Sequence, residues 1–137
     1  LAARRLPPED MYSEVMERCG PWSEDFAAVW GRVPDSINES PENVLVDGGL
    51  GEGWVAEEAV ASAMYCVWRT PDDYRSAVLT AVNTDGDSDS IGTIAGSIVG
   101  ARQGIAAIPA DWRKNVEDSP RLHDLGQRLW KARATGG

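Results

Sequence analysis

Residues 82–104 read VNTDGDSDSIGTIAGSIVGARQG, and the two halves of this stretch set the fold. In the second half Ile91, Ile94 and Ile98 accompany Gly92, Gly96, Gly100 and Gly104, and the glycines recur every four residues. That spacing lines them up nearly along one side of a helix. Each costs about 1 kcal/mol against alanine in a helix interior. Such a stripe predicts that another helix packs tightly against this backbone, making it a buried central helix. The first half crowds Asp85, Asp87 and Asp89 together just ahead of it. Like charges at that density repel, and a cation, a helix N-terminus or open solvent relieves them.

The flanking sequence is helical too. A first helix is predicted from Glu9 to about Cys19, after Pro7-Pro8 and before Gly20-Pro21, with Met11, Val15 and Met16 as its apolar stripe. Ser23 caps a second, SEDFAAVWGRV, whose first turn carries Glu24 and Asp25 where the macrodipole favours acids. From Pro34 to Gly53 the periodicity dissolves into PDSINESPENVLVDGGLGEG, which reads as a long connection with one short extended piece at Val44-Leu45-Val46. A third helix, WVAEEAVASAMYCVWR, places Val55, Ala59, Ala63 and Val67 on one face beside Met64 and Trp68. Thr70 is the predicted cap of a fourth, TPDDYRSAVLTAV, with Pro71 at its first position. The fifth is SIGTIAGSIVGARQGI, and the last, RLHDLGQRLWKAR, follows a turn at Ser119-Pro120. Several helices without a convincing alternating strand predict an all-α domain.

Bulk composition narrows the function. The 137 residues are 42% apolar and 26% charged, as in an ordinary soluble globular domain, and the net charge is −9. An acidic surface argues against duplex nucleic acid, because phosphate recognition needs clustered Lys and Arg. The longest apolar run, near 91–101, is too short to span a bilayer, and no charged-then-apolar leader opens the chain. Cytoplasm is the expected compartment. Cys19 and Cys66 fall in predicted helices and read as small buried thiols rather than a disulfide framework. The chain opens on LAARRLPPEDMY rather than on methionine, as a processed or truncated piece would.

Three chemistries compete for the acidic loop. A solvated helix cap needs no further function. A calcium loop of EF-hand type matches Asp85, Asp87 and Asp89 at positions one, three and five. It fails at position six, which is Ser90 instead of glycine, and at position twelve, where Gly96 replaces the bidentate acid. A hard-cation site made of Asp87, Asp89 and the Ser90 hydroxyl suits Mg²⁺, Mn²⁺ or Ca²⁺ and is poor for zinc. His123, the sole histidine, sits in a late amphipathic helix and reads as a surface or half-buried residue. No Ser-His-Asp or Cys-His set has support from spacing, so any chemistry falls to carboxylates and a metal.

The run VNTDGDSDSIGTIAGSIVGARQGIAAIP resembles the C-terminal signature of the ADP-ribosylglycohydrolase family, a Gly-Gly-Asp-Thr-Asp-Thr-Ile segment followed by an Ala-Gly helix. Upstream, LGEGWVAEEAVASAMYCVWRTPDDYRSAVLTAVN resembles the family's Gly-x-Gly-(Trp/Tyr)-Val segment and the two helices that lead into that signature. The likeness is strongest over residues 44–110. It implies an all-α fold, a binuclear Mg²⁺ or Mn²⁺ centre, and hydrolytic removal of ADP-ribose from a modified acceptor at the ribose anomeric carbon. Residue by residue, it implies that Asp87, Asp89 and Ser90 are metal ligands. It implies that Gly51, Gly53 and Trp54 lie near the ADP-ribose, where missing side chains would let backbone amides approach and Trp54 would offer a ring face. Trp54 reads equally as a core-packing aromatic.

The chain departs from the family pattern in two ways. Asp85 stands where glycine is typical, and Ser88 and Ser90 replace threonines. The N-terminal Thr-Asp-Asp half-site is missing, as is the early Gly-Asp-Ala-type segment. Pro71-Asp72-Asp73 is the nearest string, and helix capping explains it. Residues 1–137 are therefore expected to be the C-terminal part of such a domain, with the other half supplied by a longer chain or a second polypeptide. The expected partner is an ADP-ribosylated protein or a small ADP-ribosyl substrate, with neither duplex nucleic acid nor membrane. Two other functions stay open: a catalytically silent module binding ADP-ribose and metal, and a helical interaction domain whose acidic loop only caps.

Overall fold

The computed structural model describes residues 5–135, and its described residues contain helices and no strands. It divides into two compact units, Leu1–Ala107 and Ile108–Gly137.

In the first unit α1 (Pro8–Cys19) begins with its proline in the first turn, where a missing N–H costs nothing. The 3-10 turn Gly20–Trp22 leads to α2 (Glu24–Trp30), and the Ser23 hydroxyl caps it by accepting from Phe26 N–H at 3.1 Å. Residues 34–53 are more ordered than their composition predicts. They contain α3 (Val33–Ser36) and α4 (Pro41–Val44), each with a proline in its first turn, and no extended piece at 44–46. The reason is burial: Val44, Leu45 and Leu50 are core residues, and that anchorage fixes a polar segment with little propensity of its own.

α5 (Ala56–Arg69) is the centre of the unit, with every residue from Ala61 to Val67 buried. Its lower end ties down the preceding segment. The Tyr65 hydroxyl donates to Glu39 C=O at 2.8 Å, and the Arg69 guanidinium donates to the Tyr65 oxygen at 2.9 Å and to the Glu39 carbonyl. Trp30 stacks on Tyr12 with ring centroids 5.7 Å apart and donates its indole N–H to Tyr12 C=O at 3.1 Å, joining α2 to α1.

α6 (Tyr74–Val82) starts later than Thr70 predicts. Its cap is Asp73, whose carboxylate accepts from Ser76 N–H at 3.0 Å and from the Ser76 hydroxyl at 2.6 Å. Thr70 instead donates its hydroxyl back to Cys66 C=O at 3.2 Å, closing α5. The Pro71-Asp72-Asp73 string thus serves a helix start, as its composition indicates.

α7 (Ser88–Gln103) packs its glycine stripe on α6. A Cβ at Gly92 would fall 2.4 Å from Val82 Cγ1, and one at Gly96 would fall 3.2 Å from the Tyr74 oxygen. Gly104 plays a different part: it ends α7 with φ 80°, and a Cβ there would meet nothing within 4 Å. The adjoining row on α7 buries Ile91, Ala95 and Val99 completely. The burial expected of both cysteines holds for Cys66 alone; Cys19, at the end of α1, is exposed.

The second unit contains α8 (Ala110–Asn115), which the periodicity did not signal, and α9 (Ser119–Thr135). On α9 the side chains of Leu122, Leu125 and Leu129 are exposed, as is His123. Among the described residues no helix is long and apolar enough to cross a membrane.

Candidate functional site

The start of α7 is built by its own sequence. Asp87 is the N-cap, and its carboxylate accepts from Ser90 N–H at 3.4 Å. Ahead of it, the Thr84 hydroxyl donates to Leu45 C=O at 3.2 Å and accepts from Gly86 N–H at 3.3 Å. These bonds turn the acidic loop over the end of α4.

The glycine-rich loop 48–53 docks on this corner. Asp87 N–H donates to Glu52 C=O at 2.8 Å. Gly86 permits that approach, because a Cβ there would sit 2.1 Å from the Glu52 oxygen. Gly53, at φ 87°, lies over the first turn of α7: its Cβ would be 2.8 Å from Ile91 Cδ1 and 3.5 Å from Asp87 Cβ. Gly51, at φ 100°, adopts a backbone that side-chain-bearing residues avoid. Two segments separated in sequence by α5 and α6 thus form one corner. Gly51, Gly53 and Trp54 come from one side, and Asp87, Asp89 and Ser90 from the other.

The amides of this loop are not presented outward as the glycine pattern alone suggests. Gly51 N–H donates to Val46 C=O at 3.2 Å, and Gly53 N–H donates to the Glu58 carboxylate at 3.1 Å. The glycines serve left-handed backbone and close packing instead. What the loop does offer is Trp54, 66% exposed and therefore not a core aromatic. Its indole N–H donates to Glu52 Oε2 at 2.9 Å, which leaves the ring faces available for stacking.

Electrostatics at the corner centre on Asp87. Hydrogen bonding from the Ser90 hydroxyl, and then with the Asp89 carboxyl, holds its carboxyl below the usual carboxylate range. Asp87 and Asp89 are therefore close neighbours, while Ser90 is half-buried and Asp85 is exposed. Among the described residues no three acids, histidines or cysteines form a group able to hold a metal, so Asp85 does not complete one with the other two. The donor set of two carboxylates and a hydroxyl is hard and oxygen-only. It fits Mg²⁺ or Mn²⁺ in kind and supplies about half of a six-oxygen shell in number.

Glu52 and Glu58 were not singled out by the sequence pattern. Glu58 carried a signal, a glutamate in the first turn of a helix. Glu52 carried none beyond its place between two glycines.

The family model described as ADP-ribosylglycohydrolase matches residues 1–137. The chain belongs to the ADP-ribosylglycohydrolase family. It is 30% identical over 109 residues to the human ADP-ribosylhydrolase ARH3, a match covering 72% of this chain and 30% of that protein. To the bovine ADP-ribosylhydrolase ARH3 it is 33% identical over 140 residues, covering 94% of this chain and 35% of that one. To the ADP-ribosylarginine hydrolase Tri1 of Serratia proteamaculans it is 33% identical over 73 residues, covering 53% of this chain and 20% of Tri1. The chain thus spans roughly a third or less of the length of these curated relatives. No solved structure matches.

Proposed function

We propose that this chain supplies the C-terminal metal half-site of a metal-dependent hydrolase that removes ADP-ribose from a modified acceptor. The observation that carries the reading is the docking of the glycine loop on the capped start of α7, which sets Glu52 and Gly53 against Asp87. Family membership and the activities named for the relatives support the same chemistry.

Asp87, Asp89 and Ser90 hold one side of a Mg²⁺ or Mn²⁺ centre, binuclear in the complete site. When bound, the cations supply Lewis-acid orientation of ribose hydroxyls and of a water. The chain's own residues do the rest of what is assigned to it. Trp54 offers an exposed ring face to the ADP-ribose, and the left-handed Gly51–Gly53 backbone, packed against Glu58 and Ile91, carries it. The Ser90 hydroxyl, and then the Asp89 carboxyl, hold the Asp87 carboxyl below the usual carboxylate range. Cleavage at the anomeric carbon develops oxocarbenium-like positive charge, which an anionic corner favours. The remaining metal donors, and with them the acceptor-binding residues, belong to a further part of the chain or to a second polypeptide.

One observation favours a second reading. With two carboxylates and one hydroxyl the corner provides an incomplete metal shell, so a silent module that binds ADP-ribose and one cation uses the same residues. Both readings have an ADP-ribosylated protein or a small ADP-ribosyl compound as partner, with no duplex nucleic acid or membrane, and a cytoplasmic setting.

A Mn²⁺ titration of the full chain, run beside Asp89→Ala, tests the ligand assignment. Saturable binding that is lost in the variant, with helical content retained, is the expected result. Equal binding by both proteins would remove Asp89 from the site. Release of ADP-ribose from a modified arginine substrate by the single chain would eliminate the silent reading.

A further inference from the structure

The Glu58 carboxylate occupies the junction between the glycine loop and the start of α5. No side chain caps α5 at Val55. A glutamate in this position of a helix commonly reaches back to the N–H of the cap residue. Glu58 reaches further, accepting from Gly53 N–H at 3.1 Å. Gly51 lies against the same carboxylate, and a Cβ there would fall 2.2 Å from Glu58 Cδ. The Gly51 carbonyl is held in turn by the hydroxyl of buried Ser62, at 3.4 Å. Across the loop, Gly53 rests on Ile91 and Asp87 of the corner. The loop is clasped between a carboxylate on α5 and the first turn of α7.

Two glycines in left-handed backbone have wide conformational freedom, and nothing in their own chemistry selects this shape. A ligand that must order such a loop binds more weakly by the cost of ordering it. A hydrogen bond from a backbone N–H to an ionised carboxylate is among the stronger ones available for removing that cost beforehand.

We propose that Glu58 is a positioning residue of this site: its carboxylate, packed against Gly51 and bonded to Gly53 N–H, holds residues 51–54 in the shape that meets ADP-ribose beside Asp87. The ligand half of the inference rests on the ADP-ribose reading above. The holding half stands on the loop geometry alone.

The test uses the full chain with Glu58→Ala and Glu58→Gln, reading amide hydrogen exchange at Gly53, Mn²⁺ binding, and ADP-ribose binding in the presence of Mg²⁺. Glu58→Ala is expected to speed Gly53 exchange and to weaken ADP-ribose binding, each by about tenfold or more, with Mn²⁺ affinity and helical content little changed. Glu58→Gln keeps an oxygen that can accept the same bond and is expected to restore most of both losses. A general packing defect would lower Mn²⁺ affinity and helical content as well.

Unchanged Gly53 exchange in Glu58→Ala overturns the holding role. A freed loop with undiminished ADP-ribose affinity overturns the positioning role. If Glu58→Ala fails to fold, Glu58→Leu, which keeps the bulk and removes the acceptor, decides: faster Gly53 exchange is expected, and unchanged exchange overturns the proposal. A wild-type chain that binds no ADP-ribose removes the functional reading, and Gly53 exchange then settles Glu58's hold by itself.

Discussion

α7 and α9 are 16 and 17 residues long, and the sequence marks both as helices, yet they use their apolar side chains in opposite ways. α7 buries Ile91, Ala95 and Val99 completely, whereas Leu122, Leu125 and Leu129 of α9 are 52%, 47% and 65% exposed. The difference does not follow hydrophobicity, since leucine is as apolar as isoleucine. It follows how closely a neighbour can approach. The glycines of α7 admit Val82 and Tyr74 of α6 to its backbone, and α5 packs on it as well. α9 belongs to the second unit, where the six-residue α8 is its companion helix. Amphipathic patterning thus identifies a helix, and small residues identify the one that is packed on more than one side.

The sharpest way to break this contrast is to cut a side chain from each helix. Ile91→Ala removes a fully buried residue from the turn on which Gly53 rests, and it is expected to cost about 2–5 kcal/mol in a denaturant melt. A loss below about 0.5 kcal/mol would show that α7 is not packed as described. Gly86→Ala comes next. Its new methyl would press on the Glu52 carbonyl, and separating the two loops is expected to cost about 1–3 kcal/mol. The accompanying sign is faster exchange of Asp87 N–H, the donor to that carbonyl.

A smaller effect concerns the thiols. Burial pushes the Cys66 thiol from its ordinary 9.0 up to about 12, while Cys19 is exposed. The folded chain should therefore show one thiol that reacts promptly with a water-soluble reagent and one that reacts only on unfolding. The linkage has a definite sign. The folded state keeps the Cys66 proton that the unfolded chain surrenders near pH 9, so this contribution is complete below pH 9 and declines as pH rises toward 12. Cys66→Ala should flatten that alkaline decline, and an unaltered slope would exclude Cys66 as its source. The smallest effect belongs to Leu125→Ala on α9, expected to change stability by less than about 0.5 kcal/mol.

The same contrast explains what could be read from the residues. The glycine stripe announced a close helical neighbour, and the Asp-rich run before it announced a capped, charged helix start. Both are local chemistry, written in consecutive residues. The segment 34–53 was opaque because its order comes from distant packing: Val44, Leu45 and Leu50 anchor it, and Tyr65 and Arg69 hold Glu39. The start of α6 was misplaced by three residues because Thr70 and Asp73 are both good caps, and the Ser76 hydroxyl decides in favour of the aspartate. At the candidate site the residues of both loops were legible. Their mutual contact was not, since nothing in 51–54 or 85–90 says that a missing Cβ on Gly86 makes room for the Glu52 carbonyl. The inward turn of the loop amides onto Val46 and Glu58 was equally hidden.

The central claim is that the two loops form a single ligand site, and a map of backbone amide shifts tests it most directly. Adding ADP-ribose with Mg²⁺ to the labelled chain should move the amides of residues 51–54 and 85–90 together, along one saturation curve, and leave those of α9 in place. Shifts confined to one loop, or absent from both while other residues respond, would contradict the account.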